Sequence, residues 1–209
     1  MAQSGNREAV RELLDTYGST YASEADIRLK NTPQPLYQLL VLSFLLSARI
    51  SSGIALASSR ALSRAGMRTP RRMADTTWQE RVDALGRGGY RRYDERTATQ
   101  LGKGADILLE EYGGDLRKLR AEAHEDVTEL RRLLQQVPGL GPVGADIFLR
   151  EVQSIWPEVA PYLDKKAQQG ARRVGLPPEP GKLADLAGDT DRATFAAALV
   201  RAALDKSKT

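Results

Sequence analysis

The chain has 209 residues, with 31 lysines and arginines against 27 aspartates and glutamates, one histidine and no cysteine. The lack of cysteine excludes disulfides, thiolate nucleophiles and cysteine-ligated iron–sulfur clusters, and His124 alone is no basis for a histidine zinc site. We therefore predict neither a metal nor a cofactor. The formal charge of +4 allows a nucleic-acid partner without requiring one. The local basic clusters at 68–72 and 87–96 are stronger evidence for such a partner than the total charge is.

Apolar residues recur at helical spacing along most of the chain, and strand signals are scarce. We predict an all-α protein of nine or ten short helices. The segment 36–48 is apolar nearly all round, so we expect it to be buried. Two glycines, Gly113 and Gly114, are expected to end a helix. The predicted helices are 7–17, 36–48, 51–65, 76–85, 94–112, 125–137, 144–156, 165–174 and 190 or 191 to 204, with residues 176–181 as a connector.

The organisation along the chain indicates a two-lobed helical bundle. Residues 36–134 form a continuous block that we assign to a central lobe. Residues 1–35 and 135–209 are predicted to form the second lobe, which carries the hairpin of 125–156. The start of the chain is polar and the longest apolar stretch is too short to span a bilayer. We expect a cytoplasmic, nucleoid-associated protein.

The stretch Val-Pro-Gly-Leu-Gly-Pro-Val-Gly at 137–144 lies between two predicted amphipathic helices. We expect Gly139 and Gly141 to take backbone angles that are closed to residues with a Cβ, and to let a phosphate come close. The helix predicted from Gly144 would offer unsatisfied N–H groups and the positive end of its dipole to an anion. The alternative is a plain glycine-rich connection between two helices.

Three blocks, 39–52, 89–109 and 137–173, follow one another as they do in a known family. In these blocks the chain resembles the helix-hairpin-helix/Gly-Pro-Asp DNA glycosylase superfamily, and the endonuclease III-like branch in particular. The resemblance spans most of residues 36–175. It implies two α-helical lobes around a DNA-binding cleft, with double-stranded DNA held mainly by its backbone. It also implies that a damaged or mismatched base is flipped into a pocket.

By the same resemblance, Asp164 takes the place of the essential aspartate of the family. Breaking an N-glycosidic bond builds positive charge on the sugar, which a fixed carboxylate stabilises. A carboxylate can also orient or deprotonate the attacking water. Asp164 can equally be the N-cap of the helix that follows it, and the two roles are compatible.

The chain departs from the family pattern at several positions. Val143 stands where bifunctional members carry the lysine that forms a Schiff base, so we expect no lyase activity by that route. Arg49 replaces the glutamine that reaches into the space left by the flipped base. The four-cysteine cluster of the branch is absent. Lys165 and Lys166 either bind phosphate or solvate their helix, and an amine role for them is a weaker alternative.

The wedge segment of the family is represented by Arg91, Arg92 and Tyr93. An aromatic ring and two cations suit contact with DNA, and a solvated loop is the alternative. The residues that we expect to contact DNA are Gly139, Leu140, Gly141, Val143, Gly144, Lys165, Lys166, Arg49, Arg91, Arg92 and Tyr93.

The leading hypothesis is a monomeric, monofunctional DNA N-glycosylase of base-excision repair that uses Asp164. The alternative is a non-catalytic helix-hairpin-helix protein that only binds DNA. A helix-turn-helix regulator is a third reading, for which the glycine- and proline-rich turn is poorly suited. An Asp164 that opens into a solvent-reachable cleft would favour the enzyme, and one that is sealed by arginine or lysine would favour the binding protein.

Overall fold

The computed structural model describes residues 2–205, and within that range it contains thirteen α-helices, one short 3-10 helix and no β-strand. The all-α prediction is therefore confirmed. The α-helices are α1 (Ala2–Tyr17), α2 (Tyr21–Glu24), α3 (Pro33–Ser47), α4 (Ser52–Arg64), α5 (Pro70–Ala74), α6 (Trp78–Arg87), α7 (Asp94–Tyr112), α8 (Leu116–Glu122), α9 (Val127–Leu134), α10 (Pro142–Val152), α11 (Lys165–Arg173), α12 (Pro180–Ala187) and α13 (Arg192–Leu204), and the 3-10 helix is Pro157–Val159.

The chain divides into two compact units. One comprises residues 22–148, and the other, the terminal unit, comprises residues up to 21 together with those from 149 onward. The sequence placed the hairpin of 125–156 with the chain termini, whereas the structure groups its residues 125–148, including the turn, with the 22–148 unit and only 149–156 with the terminal unit. The reason is packing, because Gly139 lies against the side chains of Phe44 and Gln100.

Helix α3 is the best-buried helix of the 22–148 unit, as its composition predicts. Leu36, Leu39, Leu42 and Leu45 are wholly inaccessible to solvent. The helix begins earlier than predicted, at Pro33, because the fixed φ of proline suits the first helical position. Burying a leucine side chain contributes about 1.5–3 kcal/mol, so this helix is a main source of the unit's stability.

Helix α7 spans the residues predicted for it, 94–112, and ends as predicted. Gly113 and Gly114 both have positive φ, at 60° and 80°. Their N–H groups donate to the carbonyl oxygens of Leu109 and Leu108 at 3.0 and 2.8 Å. These bonds satisfy carbonyls that would otherwise be left open at the end of the helix.

Several predicted boundaries are wrong. Helix α9 ends at Leu134 and α10 runs from Pro142 to Val152, because the hairpin turn takes up more residues than the apolar spacing suggested. The predicted connector 176–181 already contains the start of α12, where Pro180 occupies the first turn. Helices α2, α5, α8 and α12 were not predicted, since helices of four to eight residues are too short to show a clear period.

In the terminal unit, α11 packs on α13 with almost no space between the backbones. A Cβ built on Gly170 would lie 1.8 Å from the carbonyl oxygen of Leu199. The core beside this contact is made of small and branched apolar residues, among them Ala167, Ala171, Ala196 and Leu199. Glycine is therefore required at this crossing.

Replacing Gly170 with Ala should lower the free energy of unfolding by about 3 kcal/mol, because the backbone of Leu199 must move to admit the methyl group. The matched control is Gly181→Ala in α12, where a Cβ would meet no atom within 4 Å. That change should leave stability unchanged or raise it by up to about 1 kcal/mol. Urea unfolding followed by circular dichroism measures both. Equal stability of the two variants would contradict the close crossing.

Candidate nucleic-acid interface and carboxylate site

The hairpin turn is a four-residue turn from Val137 to Leu140. The Leu140 N–H donates to the Val137 carbonyl at 3.0 Å. Pro138 and Gly139 occupy the two central positions, and Gly139 has φ of +88°, as a type II turn requires. The prediction for Gly139 is confirmed. The same prediction for Gly141 is wrong, because its φ is not positive and a Cβ there would meet no atom within 4 Å.

Helix α10 begins two residues before the predicted Gly144. The Gly141 carbonyl accepts from Ala145 N–H at 3.0 Å, so Gly141 is the N-cap and Pro142 opens the helix. Gly141, Pro142 and Val143 are exposed, and Val143 is 60% accessible. The first N–H groups of a helix have no partner inside it. The exposed start of α10 therefore combines free donors with the positive end of the helix dipole.

Two other hairpin residues have a packing role. Leu140 is 2% exposed, and its side chain belongs to the core of the 22–148 unit. Gly144 is buried, and a Cβ on it would lie 2.7 Å from Leu140 Cδ1. Their side-chain positions are thus turned to the protein interior, and any contact of theirs with a ligand would have to be through the backbone.

An ion pair joins the two helices of the hairpin. Arg131 Nε in α9 donates to Asp146 Oδ1 in α10 at 2.6 Å, and a second bond runs from Arg131 Nη2 to Asp146 Oδ2. Such a two-point contact fixes orientation as well as distance. It holds the ends of α9 and α10 together on either side of the turn.

The predicted wedge segment is exposed, and it holds a cation against an aromatic ring. Arg91, Arg92 and Tyr93 are all accessible, and the Arg92 guanidinium lies 5.0 Å from the centroid of the Tyr93 ring. Tyr93 has φ of +67°, an uncommon conformation for a side chain with a Cβ. Arg49, in the loop between α3 and α4, is exposed as well.

Asp164 lies at the N-terminus of α11 and is its N-cap. Its Oδ1 accepts from Ala167 N–H at 3.0 Å, and its Oδ2 accepts from Arg150 Nη1 at 2.5 Å. The side chains of Asp164 and Arg150 are only 11% and 7% exposed. Both carboxylate oxygens therefore have a partner within the protein, and the charge of Asp164 is balanced by a buried guanidinium.

The segment that leads to Asp164 is fixed by the amide of Gln153. This residue is 3% exposed. Its Oε1 accepts from Tyr162 N–H at 2.8 Å, and its Nε2 donates to the carbonyls of Arg150 and Tyr162. The amide thus ties the end of α10 to the backbone just before the carboxylate. A carboxylate has about four lone-pair positions, so Asp164 can still accept a bond from a water molecule.

The lysines after Asp164 have different surroundings. Lys165 is exposed, and Lys166 Nζ donates to Gln169 Oε1 at 2.9 Å. Positive charges in the first turn of a helix are unfavourable to its dipole, so these lysines do not stabilise α11. This unfavourable placement of charge is consistent with Lys165 and Lys166 contacting a group outside the helix.

The sequence analysis missed Arg150 and Gln153. They could have been recognised from their position in the predicted helix 144–156, where charged and amide side chains interrupt a run of apolar residues. His124 is exposed and precedes the Asp126 N-cap with φ of +48°. Within residues 2–205 no group of three or more potential ligands is placed to hold a metal ion. No helix in the same range has the length and apolar character of a membrane span.

Comparison with known proteins shows the fold. No family model and no curated protein matches the chain. A solved structure of a trapped endonuclease III–DNA covalent intermediate, an estranged-adenine complex, is similar with a TM-score of 0.55 and 15% identity, over 96% of this chain and 85% of that one. At that identity the likeness establishes the architecture alone. This chain has the all-helical fold of that endonuclease III structure.

Proposed function

We propose that this protein binds duplex DNA by gripping the backbone with the hairpin of residues 137–144. The observation that carries the proposal is the exposed start of α10, where the backbone N–H groups of Gly141 and Val143 lie at the positive end of a helix on either side of Pro142. Contacts of this type position DNA without reading its sequence. The exposed cations of the wedge segment and Arg49 would add further phosphate contacts.

Binding of a fluorescently labelled, undamaged duplex tests this proposal. The affinity should depend little on sequence and should fall with salt, with a log–log slope of about −0.9 for each phosphate contacted. Sedimentation should show a single copy of the protein in each complex, since we propose a monomer. A protein that fails to bind at low salt would refute the proposal.

A second candidate is a monofunctional DNA N-glycosylase, which the fold and the place of Asp164 support. In this candidate the carboxylate stabilises the positively charged sugar as the bond to a flipped base breaks. Val143 has no amine, so the reaction would end at an abasic site without strand cleavage. The chain would then belong to an endonuclease III-like branch without the iron–sulfur cluster.

The ion pair with Arg150 favours the binding protein over the enzyme. The Arg150 guanidinium, 2.5 Å from Asp164, weakens the negative electrostatic field with which this carboxylate would stabilise the sugar cation. Breaking the ion pair is also costly, because it leaves a buried carboxylate without its counter-ion. We therefore infer a DNA-binding protein with a glycosylase fold as the better-supported function. The retained capacity of Asp164 for one more hydrogen bond is what keeps the enzyme as the second candidate.

Base release from a panel of damaged and mismatched duplexes separates the two. The binding protein leaves every base in place, and Asp164→Asn does not alter its affinity for DNA. The enzyme instead yields abasic sites with at least one lesion, and Asp164→Asn abolishes that yield while binding persists. The matched control is Asp191→Asn, which changes another N-cap aspartate of the terminal unit. Both variants are assayed below their unfolding temperatures.

A further inference from the structure

A strongly basic cavity lies in the 22–148 unit, at the opposite end of α3 from the hairpin. It has a volume of about 450 Å³. Its cations come from three segments: the loop before α3, the second half of α4 and the loop after α4. They are Arg28, Lys30, Arg60, Arg64 and Arg68, and the one carboxylate in the lining is Asp26.

None of these five cations forms an ion pair within the part of the chain that the structure describes. Arg28, Lys30, Arg64 and Arg68 are exposed. Like charges that are gathered without counter-ions repel one another, so they do not stabilise the fold. Since the whole chain has a formal charge of only +4, this concentration of charge calls for an anionic ligand.

The walls of the cavity are held in place by hydrogen bonds. Gln38 Nε2 in α3 donates to Ser63 Oγ in α4 at 3.0 Å. Arg60 Nη1 donates to the Glu24 carbonyl at 2.5 Å, and Arg68 Nε donates to the Ser63 carbonyl at 2.9 Å. Each guanidinium has five N–H donors, so most of the donors of Arg60 and Arg68 are left over for a ligand.

The cavity is separate from the hairpin. Helix α3 has fifteen residues, which at 1.5 Å per residue is about 22 Å. Its C-terminal half contacts the hairpin, where Phe44 lies against Gly139 and Ser47 Oγ is 3.4 Å from a Cβ built on Gly144. Gln34 and Gln38, which line the cavity, belong to its N-terminal half.

The lining indicates which kind of anion fits. No aromatic ring contributes to it, so a nucleotide base would have no surface on which to stack. The cavity is open, and it shares Gln34 and Arg68 with a neighbouring cavity in which Arg72 lies together with Asp75 and Glu80, so the excess of positive charge belongs to the first cavity. Five cations from three segments around an open cavity suit a chain of phosphates better than a single small molecule.

We propose that this cavity, defined by Arg28, Lys30, Arg60, Arg64 and Arg68, is a second nucleic-acid site that binds a phosphodiester backbone. It would take a DNA segment other than the one held by the hairpin. The protein could then hold two duplexes, or two stretches of one molecule, at the same time. This inference goes beyond the proposed function and uses none of the hairpin residues.

A two-duplex capture experiment on the full chain tests the proposal. One duplex is immobilised and loaded with protein, and capture of a second, fluorescent duplex is measured. The test variant is Arg28→Gln/Lys30→Gln/Arg64→Gln, whose side chains donate no hydrogen bond that holds the fold. The matched control is Arg7→Gln/Arg11→Gln/Lys118→Gln, which removes three exposed charges elsewhere. We expect capture by the wild type and the control and none by the test variant.

Salt dependence supplies a second readout. In a Val143→Glu background, which weakens the hairpin site alone, the duplex binding that remains at the cavity should lose about 2.7 units of log–log slope with the test variant. Equal capture by the test variant and the control would overturn the proposal. The proposal would also be overturned if inorganic tripolyphosphate bound one-to-one at the cavity while the test variant had no effect on duplex capture. A failure of the hairpin proposal is recognised separately, since Val143→Glu would then leave DNA binding unchanged.

Discussion

Asp164→Asn should lower the free energy of unfolding by about 3 kcal/mol, because it leaves the buried Arg150 guanidinium without its counter-ion. The two side chains are 11% and 7% exposed, so water cannot take over the role of the carboxylate. Loss of the helix cap does not explain the effect, since Asn caps a helix about as well as Asp. Urea unfolding of both proteins at neutral pH measures the difference.

Two controls isolate the ion pair. Asp191→Asn changes an N-cap aspartate that has no arginine partner among the residues that the structure describes and should cost less than about 0.5 kcal/mol. The double variant Arg150→Met/Asp164→Asn removes both charges and should recover most of the loss, since a well-packed apolar replacement of a buried pair is often neutral. If Asp164→Asn were as stable as the wild type, the carboxylate could not be held by Arg150 as described.

Val143→Glu should weaken duplex binding by about 30-fold, which corresponds to roughly 2 kcal/mol. The new carboxylate would lie at the exposed start of α10, where the proposal places a DNA phosphate, and like charges repel. The fold should not suffer, because a negative charge in the first turn of a helix is favourable to its dipole. Anisotropy titrations of one duplex at fixed salt measure the change.

The control for this variant is Val143→Gln, which has the size of glutamate without its charge and should bind within about twofold of the wild type. Val143→Lys should change affinity in the opposite direction and steepen the salt slope by about 0.9. Equal affinities for the Glu, Gln and Lys variants would mean that the hairpin does not contact the phosphates.

Predictions from local sequence features are correct where neighbours in the chain decide the structure. The end of α7 at Gly113 depends on two adjacent glycines, and the turn at Gly139 depends on the proline before it. The N-cap role of Asp164 depends on a helix that begins at the next residue. In each case the hydrogen bonds involved join residues within six positions of one another, so the pattern of residues is sufficient to predict them.

Contacts between distant segments could not be predicted in this way. The sequence placed the hairpin with the chain termini, and only the packing of Gly139 on Phe44 and Gln100 groups it with the 22–148 unit. The predicted helices also gave no indication of which residue would pair with Asp164. The short helices escaped prediction because one or two turns carry no recognisable period.

The sequence by itself determined an all-helical chain, a glycine- and proline-rich turn at 137–144 and a candidate carboxylate at Asp164. The tertiary structure alone decided what surrounds that carboxylate, because Arg150 reaches it from the end of a different helix, fourteen residues away. It also decided that Arg28, Lys30, Arg60, Arg64 and Arg68 converge on one cavity. The sequence shows which residues are charged. The electrostatic effect of those charges depends on which of them the packing of the chain brings close together.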